Sequence, residues 1–157
     1  MKRLSISLAM LLFVVFCYRP SFADDLYGKY LTGADVEKVS GIKGIKEVPR
    51  DPSKGAGGDL NFADADGKLV MMANFSGNSV YEKSKQQKGF FKSDVKGVGE
   101  EAFSGPSSGP EYVLVFRKGV HCVSLSSFFN MEGPASKPTM LSKEQLIELG
   151  KGIAGKL

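Results

Sequence analysis

The sequence predicts an α+β fold in which an antiparallel β-sheet is packed by helices. Three observations predict it: one long strand pair, several short strands between turn residues, and helix-capping patterns. The strand pair lies at 111–129, where β-branched, aromatic and aliphatic residues are interrupted midway by Lys118-Gly119. Such a run predicts two strands joined by a tight turn. Two strands cannot bury both faces alone, so the rest of the chain must cover them.

The first 23 residues have the composition of an export signal. Two basic residues precede an apolar run, and Ser21 and Ala23 occupy the positions that a signal peptidase recognises. The apolar run is shorter than the about 20 residues that a membrane-spanning helix needs. We therefore expect a signal peptide at 1–23, a mature protein that begins at Asp24, and no transmembrane segment after cleavage. The expected location is periplasmic or secreted.

Removal of this segment changes the charge and the cysteine count. Lys2, Arg3 and Arg19 leave with it and no acidic residue does, so 18 basic and 17 acidic residues remain, a net charge of +1. Nucleic-acid-binding domains are typically strongly basic, so we expect no nucleic-acid partner. Cys122 is then the only cysteine. Because it lies in the middle of a predicted strand, we expect a buried thiol and no intramolecular disulfide.

After a short lead at 24–30, residues 31–157 are expected to form a single domain. The first helix is capped by Thr32, with Asp35 three residues later, and ends at Gly41. Ser79 and Glu82 predict a capping box for a second helix that closes near residue 89.

The third helix has the clearest pattern and ends the chain. Ser142 and Gln145 form its predicted capping box. Its apolar residues fall on one stripe, which we expect to pack on the sheet. The stripe consists of Leu146, Leu149, Ile153 and Leu157.

Short strands are expected between Gly- and Pro-rich loops. They are predicted at 42–48, 59–63, 68–75 and 99–103. Asp66-Gly67 predicts a hairpin turn, whereas 90–98 is ambiguous. One order of elements occurs twice along the chain: a Lys-Gly-apolar triplet, a Pro/Gly loop, a strand, a Gly turn and a strand. This repeated order is consistent with a sheet built from two pseudo-repeated halves.

Several short motifs resemble catalytic, cofactor or metal sites, but each lacks a required feature. Residues 105–109 spell G-x-S-x-G, but a nucleophile elbow requires a following helix and a strand follows here. Residues 97–102 fit G-x-G-x-x-A, but two carboxylates occupy the place where a pyrophosphate would bind. Residues 64–67 resemble part of a calcium loop, but the ligand positions are wrong. We therefore expect no cofactor and no metal. A small hydrolase that uses Ser107 or His121 remains the alternative function.

A local excess of lysines around two phenylalanines is the best candidate binding site. Basic residues interleaved with aromatic residues can bind an anionic lipid, a polysaccharide or an acidic protein. A solvated helix face followed by core phenylalanines is the alternative. The candidate residues are Lys83, Lys85, Lys88, Lys92, Lys96, Phe90 and Phe91.

Two segments resemble a known family. Gly97-Val98-Gly99-Glu100-Glu101-Ala102-Phe103 and the hairpin segment 115–125 are similar to small exported bacterial domains of the DUF3558 and LpqN-like kind. The resemblance implies an α+β fold of the Mog1/PsbP-like type and no established enzyme activity. Such relatives are often lipoproteins or tethered sensor domains. Here Phe16 precedes Cys17, so the small residue that a lipoprotein signal needs is missing and we do not expect a lipoprotein.

The sequence therefore predicts an exported, non-enzymatic binding or accessory domain of the bacterial envelope. Its expected partner is an anionic envelope component or an envelope protein.

Overall fold

The computed structural model describes residues 27–87, 92–105, 112–131, 133–134 and 138–157. Within these residues three α-helices pack on one antiparallel sheet of seven strands, which confirms the predicted α+β class. The elements, in chain order, are α1 (Gly33–Ser40), β1 (Lys46–Val48), a 3₁₀ turn (Pro52–Lys54), β2 (Leu60–Ala63), β3 (Leu69–Gly77), α2 (Asn78–Gln86), β4 (Ser93–Val95), β5 (Glu101–Gly105), β6 (Val113–Lys118), β7 (His121–Ser127) and α3 (Lys143–Lys156).

The sheet has the order β1-β2-β3-β7-β6-β5-β4, and all neighbouring strands are antiparallel. Two three-stranded meanders, β1-β2-β3 and β5-β6-β7, therefore meet at the central β3–β7 pair. The local backbone repeats as well. Gly44 and Gly97 have φ angles of 73° and 79°, and the residues that follow, Ile45 and Val98, are both buried. The repeated sequence pattern thus corresponds to a repeated arrangement in space.

Reciprocal capping fixes the start of α1 and of α3, as predicted. The Thr32 side chain accepts a hydrogen bond from the Asp35 backbone at 3.2 Å, and Asp35 accepts one from the Thr32 backbone at 3.0 Å. Ser142 and Gln145 make the same exchange at 3.3 and 2.9 Å. Each pair satisfies backbone N–H groups that a helix start otherwise leaves without a partner.

The predicted capping box of α2 is wrong. The helix begins one residue before Ser79, its N-cap is Gly77, and no side chain caps it. A tertiary contact fixes the start instead, since the Asn78 side-chain amide donates to the Gly119 carbonyl at 2.7 Å in the β6–β7 turn. Ser79 therefore lies inside the helix, where it cannot act as the cap. The predicted end near residue 89 lies outside the described residues.

The predicted and the observed strand ends differ most next to glycines. Only Lys46–Val48 of the strand predicted at 42–48 forms, because Gly44 has a positive φ. A strand predicted to start at Gly99 starts at Glu101 instead. Gly99 has a φ of +58°, and a Cβ there would lie 2.3 Å from the Arg117 carbonyl oxygen. A glycine is therefore needed where this turn meets β6.

The two faces of the sheet are covered unequally. On one face α1 and α3 pack over a large cluster, the main core, which includes Phe62, Phe116, Leu146 and Ile153. The N-terminal lead contributes to it, because the Tyr27 ring stacks on Phe75 with centroids 4.5 Å apart.

The opposite face holds a smaller cluster under α2, the α2-side cluster, formed by Tyr81, Phe103, Val115 and Cys122. Among the described residues, no helix has the length and apolar character that crossing a membrane requires.

Candidate functional site

A groove on the α2 side of the sheet, the edge groove, is the candidate site. It lies between α2 and the last two strands, β5 and β4, and its volume is about 440 Å³. Tyr81 and Phe103 give it an apolar floor, whereas basic and acidic side chains surround them. The lining residues are Tyr81, Lys85, Lys92, Asp94, Val95, Lys96, Gly97, Val98, Glu100, Glu101, Ala102 and Phe103.

The structure brings three of the predicted lysines together in this groove. Lys85 comes from the end of α2, and Lys92 and Lys96 flank β4. Lys83 is exposed on α2 but does not line the groove. The remaining predicted residues, Lys88, Phe90 and Phe91, lie outside the described residues.

An ion-pair network joins α2 to the sheet at the wall of the groove. Arg117 donates to Glu100 at 2.8 Å and to Glu101 at 2.7 Å, and Lys85 donates to the other oxygen of Glu101 at 2.7 Å. Glu100 also accepts the Gly119 backbone N–H at 3.1 Å. These contacts explain the two carboxylates of the 97–102 motif: its glycine turn sets them around Arg117. The motif therefore has a structural role here.

Hydrogen bonding lowers the pKa of Glu101. The bonds from Lys85 and Arg117 reduce it from 4.5 to about 2. The contact with Glu101 in turn raises the pKa of Lys85. Two positive and two negative charges are therefore balanced within the network, and Lys85 already has an anionic partner.

Lys92 closes the end of α2. Its ammonium group donates to the carbonyls of Lys85 and Gln87 at 2.6 and 3.2 Å and lies 5.4 Å from the centre of the Phe103 ring. A cation at this position satisfies terminal carbonyls and interacts favourably with the negative end of the helix dipole. Carbonyl groups do not neutralise the ammonium, so its charge remains at the groove.

The floor of the groove continues into the α2-side cluster. The Tyr81 and Phe103 rings are tilted with centroids 5.6 Å apart, and Cys122 lies in the same cluster as a free, buried cysteine. Burial raises the pKa of the Cys122 thiol, and burial followed by the charge of Glu101 raises the pKa of Tyr81. The predicted buried thiol is confirmed, and a thiol in this environment is a poor nucleophile.

Of the two residues named for the alternative hydrolase, the structure describes only His121. His121 is half-buried at the start of β7, opposite Gly77 and Lys118. Since Cys122 packs under α2, its neighbour His121 projects from the other face. Ser107 lies outside the described residues. Within the described part of the chain, no three His, Cys, Asp or Glu side chains cluster as metal ligands would.

A larger concavity, of about 530 Å³, lies where α1 ends and α3 begins. Its polar side chains already serve the backbone. Gln145 donates to the Val39 and Ser40 carbonyls at 3.1 and 3.3 Å, and Thr139 donates to the Leu141 carbonyl at 2.6 Å. These groups hold the helix ends in place. Because they are already hydrogen-bonded to the backbone, the edge groove is the better candidate for a binding site.

Sequence reasoning places Asp94 among the lysines as an opposing charge, but it missed Glu100 and Glu101 as part of the groove. Asp94 lies between Lys92 and Lys96, and Glu101 faces Arg117 across the β5–β6 pair. Asp94 has a local signal, the alternation of charge at 92, 94 and 96. The Glu101–Arg117 pair had no local signal, because its register depends on residues far apart in the chain.

Comparisons with protein-family models, with curated proteins and with solved structures found no match to this chain.

Proposed function

We propose that this protein is an exported, non-enzymatic binding module of the bacterial envelope that uses the edge groove to contact an anionic group. The observation that carries the proposal is the convergence of Lys85, Lys92 and Lys96 on one groove with an aromatic floor. The export signature at 1–23 supports a periplasmic or secreted location. The resemblance to small exported domains without established enzyme activity agrees with a binding role.

The charges identify the lysines that contact the partner. Lys85 and Arg117 are balanced by Glu100 and Glu101. With this network balanced, Lys92, Asp94 and Lys96 carry one net positive charge, which the two lysines supply. Lys92 and Lys96 should supply most of the attraction, and Lys85 should serve mainly to hold α2 on the sheet.

Retention on anionic vesicles and on acidic envelope extracts tests the proposal. The variant Lys92→Gln/Lys96→Gln should be retained less than the wild type, and the difference should shrink as salt rises, because the Debye length is about 8 Å at physiological ionic strength. Glutamine can still donate a hydrogen bond to the end of α2. We therefore expect thermal stability to change by no more than about 1 kcal/mol.

The matched control removes two exposed lysines outside the groove. Lys46 lies on β1, at the opposite edge of the sheet, and Lys83 lies on α2. The variant Lys46→Gln/Lys83→Gln has the same net charge as the groove variant and should bind like the wild type. An equal loss of retention in both variants would show that binding depends only on the net charge of the protein. No loss in either would overturn the proposal.

A further inference from the structure

Two turns and the start of α2 meet at one end of the sheet, which we call the turn end. Two hydrogen bonds join the β4–β5 turn (96–100) to the β6–β7 turn. The Glu100 backbone N–H donates to the Arg117 carbonyl at 2.9 Å, and the Gly119 N–H donates to the Glu100 side chain at 3.1 Å. Asn78 joins α2 to the same place through the Gly119 carbonyl, at 2.7 Å. The turn end is therefore one connected surface.

An apolar side chain protrudes from the tip of the turn end. Val120 follows Gly119 in the β6–β7 turn, is 72% exposed and belongs to neither core cluster. Tight hairpin turns usually take Gly, Asn or Asp at such positions. A single exposed apolar residue is common on protein surfaces, so the charges around Val120 decide what it can contact.

Lysines flank this tip on both sides of the sheet. Lys118 follows Arg117 on β6, so it points away from α2 and toward the side of α3. Lys151 of α3 reaches the β4–β5 turn on that side, because its Cε lies 3.8 Å from the position of a Cβ at Gly97. Lys96 lines the edge groove on the α2 side. All three lysines are exposed, and among the described residues no ion pair joins them to an acidic side chain.

The excess of positive charge is greatest on the α3 side. On the α2 side, Asp94 and Glu82 offset part of the charge. On the α3 side, Glu148 precedes Lys151 by three residues, but it lines the groove between α1 and α3. Lys118 and Lys151 are therefore the cations of the turn end that act together with the apolar tip and lie outside the edge groove.

We propose that the turn end docks on the surface of an anionic lipid bilayer, with Val120 entering the headgroup region and the flanking lysines facing lipid phosphates. The inference rests on the proposed function for its location in the envelope, and it names the surface to which the protein binds. Peripheral binding of this kind combines burial of apolar area with electrostatic attraction to anionic lipids. A flat surface can meet lysines on both sides of the sheet at once, with the apolar tip between them. A soluble polyanion would account for the lysines but not for Val120.

Binding of the chain from residue 24 to lipid vesicles tests the inference. The wild type should bind vesicles of phosphatidylglycerol and phosphatidylethanolamine, and it should not bind vesicles of phosphatidylcholine. Lys118→Gln/Lys151→Gln should weaken binding at low salt by about tenfold, because lysines near an anionic surface are attracted to it. This effect should shrink as salt rises. Val120→Ser should weaken binding by about threefold, and its effect should persist as salt rises, because burial of apolar area is not screened.

Matched controls place the same changes elsewhere on the molecule. Lys46→Gln/Arg50→Gln removes the same charge on and just after β1, at the opposite edge of the sheet. Met131→Ser removes an apolar side chain that is 86% exposed, beyond the other end of β7. Both controls should bind like the wild type. Losses as large as those of the turn-end variants would overturn the inference.

A second measurement locates the contact without any substitution. In anionic nanodiscs that contain a nitroxide-labelled lipid, the NMR signals of backbone amides close to the lipid are broadened. The Gly97 and Gly119 amides, at the turn end, should broaden more than the amide of Gly67. Gly67 lies in the turn between β2 and β3, at the opposite end of β3. Broadening that is strongest at Gly67 would overturn the inference.

Lys92→Gln separates the inference from the proposed function, because Lys92 lines the edge groove at the end of β4 that is farther from the turn end. Weaker vesicle binding by Lys92→Gln alone would leave the proposed function standing and overturn the inference. Weaker binding by the turn-end variants alone would support the inference and contradict the role of the groove. Retention on lipid-free acidic envelope extracts, with no binding to vesicles, would assign the lysines to a soluble polyanion and overturn the inference.

Discussion

The two faces of the sheet differ in how much of them is covered. The main core joins α1, α3 and strands from both meanders. The α2-side cluster contains four buried residues, and α2 is nine residues long with no side-chain cap. Beyond α2, the central strands of this face carry small or half-buried side chains: Met72, Asn74, Ser76, Ser124 and Ser126.

This difference suggests that one face of the sheet stabilises the fold, whereas the other face holds the candidate binding site. A large, mainly apolar face contributes most of the hydrophobic stabilisation, since that contribution scales with the apolar area removed from water. The lightly covered face can then hold charges and a groove at its rim without endangering the fold. The edge groove and the Arg117 network both lie on this side. Matched substitutions on the two faces therefore test whether the main core contributes more to stability than the α2-side cluster.

The largest expected effect comes from removing one phenylalanine ring from each face. Phe116 is completely buried in the main core, and Phe103 is 5% exposed in the α2-side cluster. Phe116→Ala should lower the free energy of unfolding by about 3–5 kcal/mol, the usual range for a core ring. Phe103→Ala should cost about 1 kcal/mol less, because a small cluster beside a groove relaxes more easily. Urea unfolding at an unchanged m-value measures both free energies. Equal losses of stability would contradict a larger contribution from the main core.

The elements that were predicted correctly have signals within a few residues. The caps of α1 and α3 pair residues three apart, and the β6–β7 turn lies within one run of strand residues. Such signals survive without knowledge of the rest of the fold. The main core followed from them, because the stripe of α3 needs a sheet to pack on.

The elements that were missed depend on distant residues. The start of α2 is set by Asn78 contacting Gly119, 41 positions away in the chain. Likewise, the sequence gathers lysines near α2, but only the β5–β6 register shows that Glu101, facing Arg117, also neutralises Lys85. Three of the predicted lysines therefore line one groove, and the contacts of Glu100 and Glu101 with Arg117 had no signal in the sequence.

The next largest effect contrasts two glycines of α3, one against the main core and one away from it. A Cβ at Gly150 would lie 2.8 Å from Leu114 and 3.0 Å from Val98, whereas nothing lies within 4 Å of one at Gly152. Alanine in place of glycine stabilises a helix by about 1 kcal/mol. Overpacking costs about 1–3 kcal/mol.

We therefore expect Gly152→Ala to raise the free energy of unfolding by up to about 1 kcal/mol. Gly150→Ala should lower it by up to about 2 kcal/mol, since overpacking exceeds the gain in helix propensity. Thermal unfolding of the two variants decides this. A similar stabilisation by both would mean that α3 packs less closely on β6 than the structure shows.

The smallest expected effect on stability is that of Glu101, at the rim of the α2 face, and it should depend on pH. Because the pKa of Glu101 is lowered in the folded state from 4.5 to about 2, its contacts favour folding at pH values above the ordinary pKa. That contribution is lost as the pH falls through this window. Glu101→Gln should therefore be less stable than the wild type at neutral pH, and the two should converge between pH 4.5 and 2. Glu148→Gln, an exposed change on α3 outside this network, is the control. A gap between Glu101→Gln and the wild type that stays constant down to acidic pH would show that Lys85 and Arg117 do not hold this carboxylate in solution, and that α2 is attached to the sheet by its apolar contacts alone.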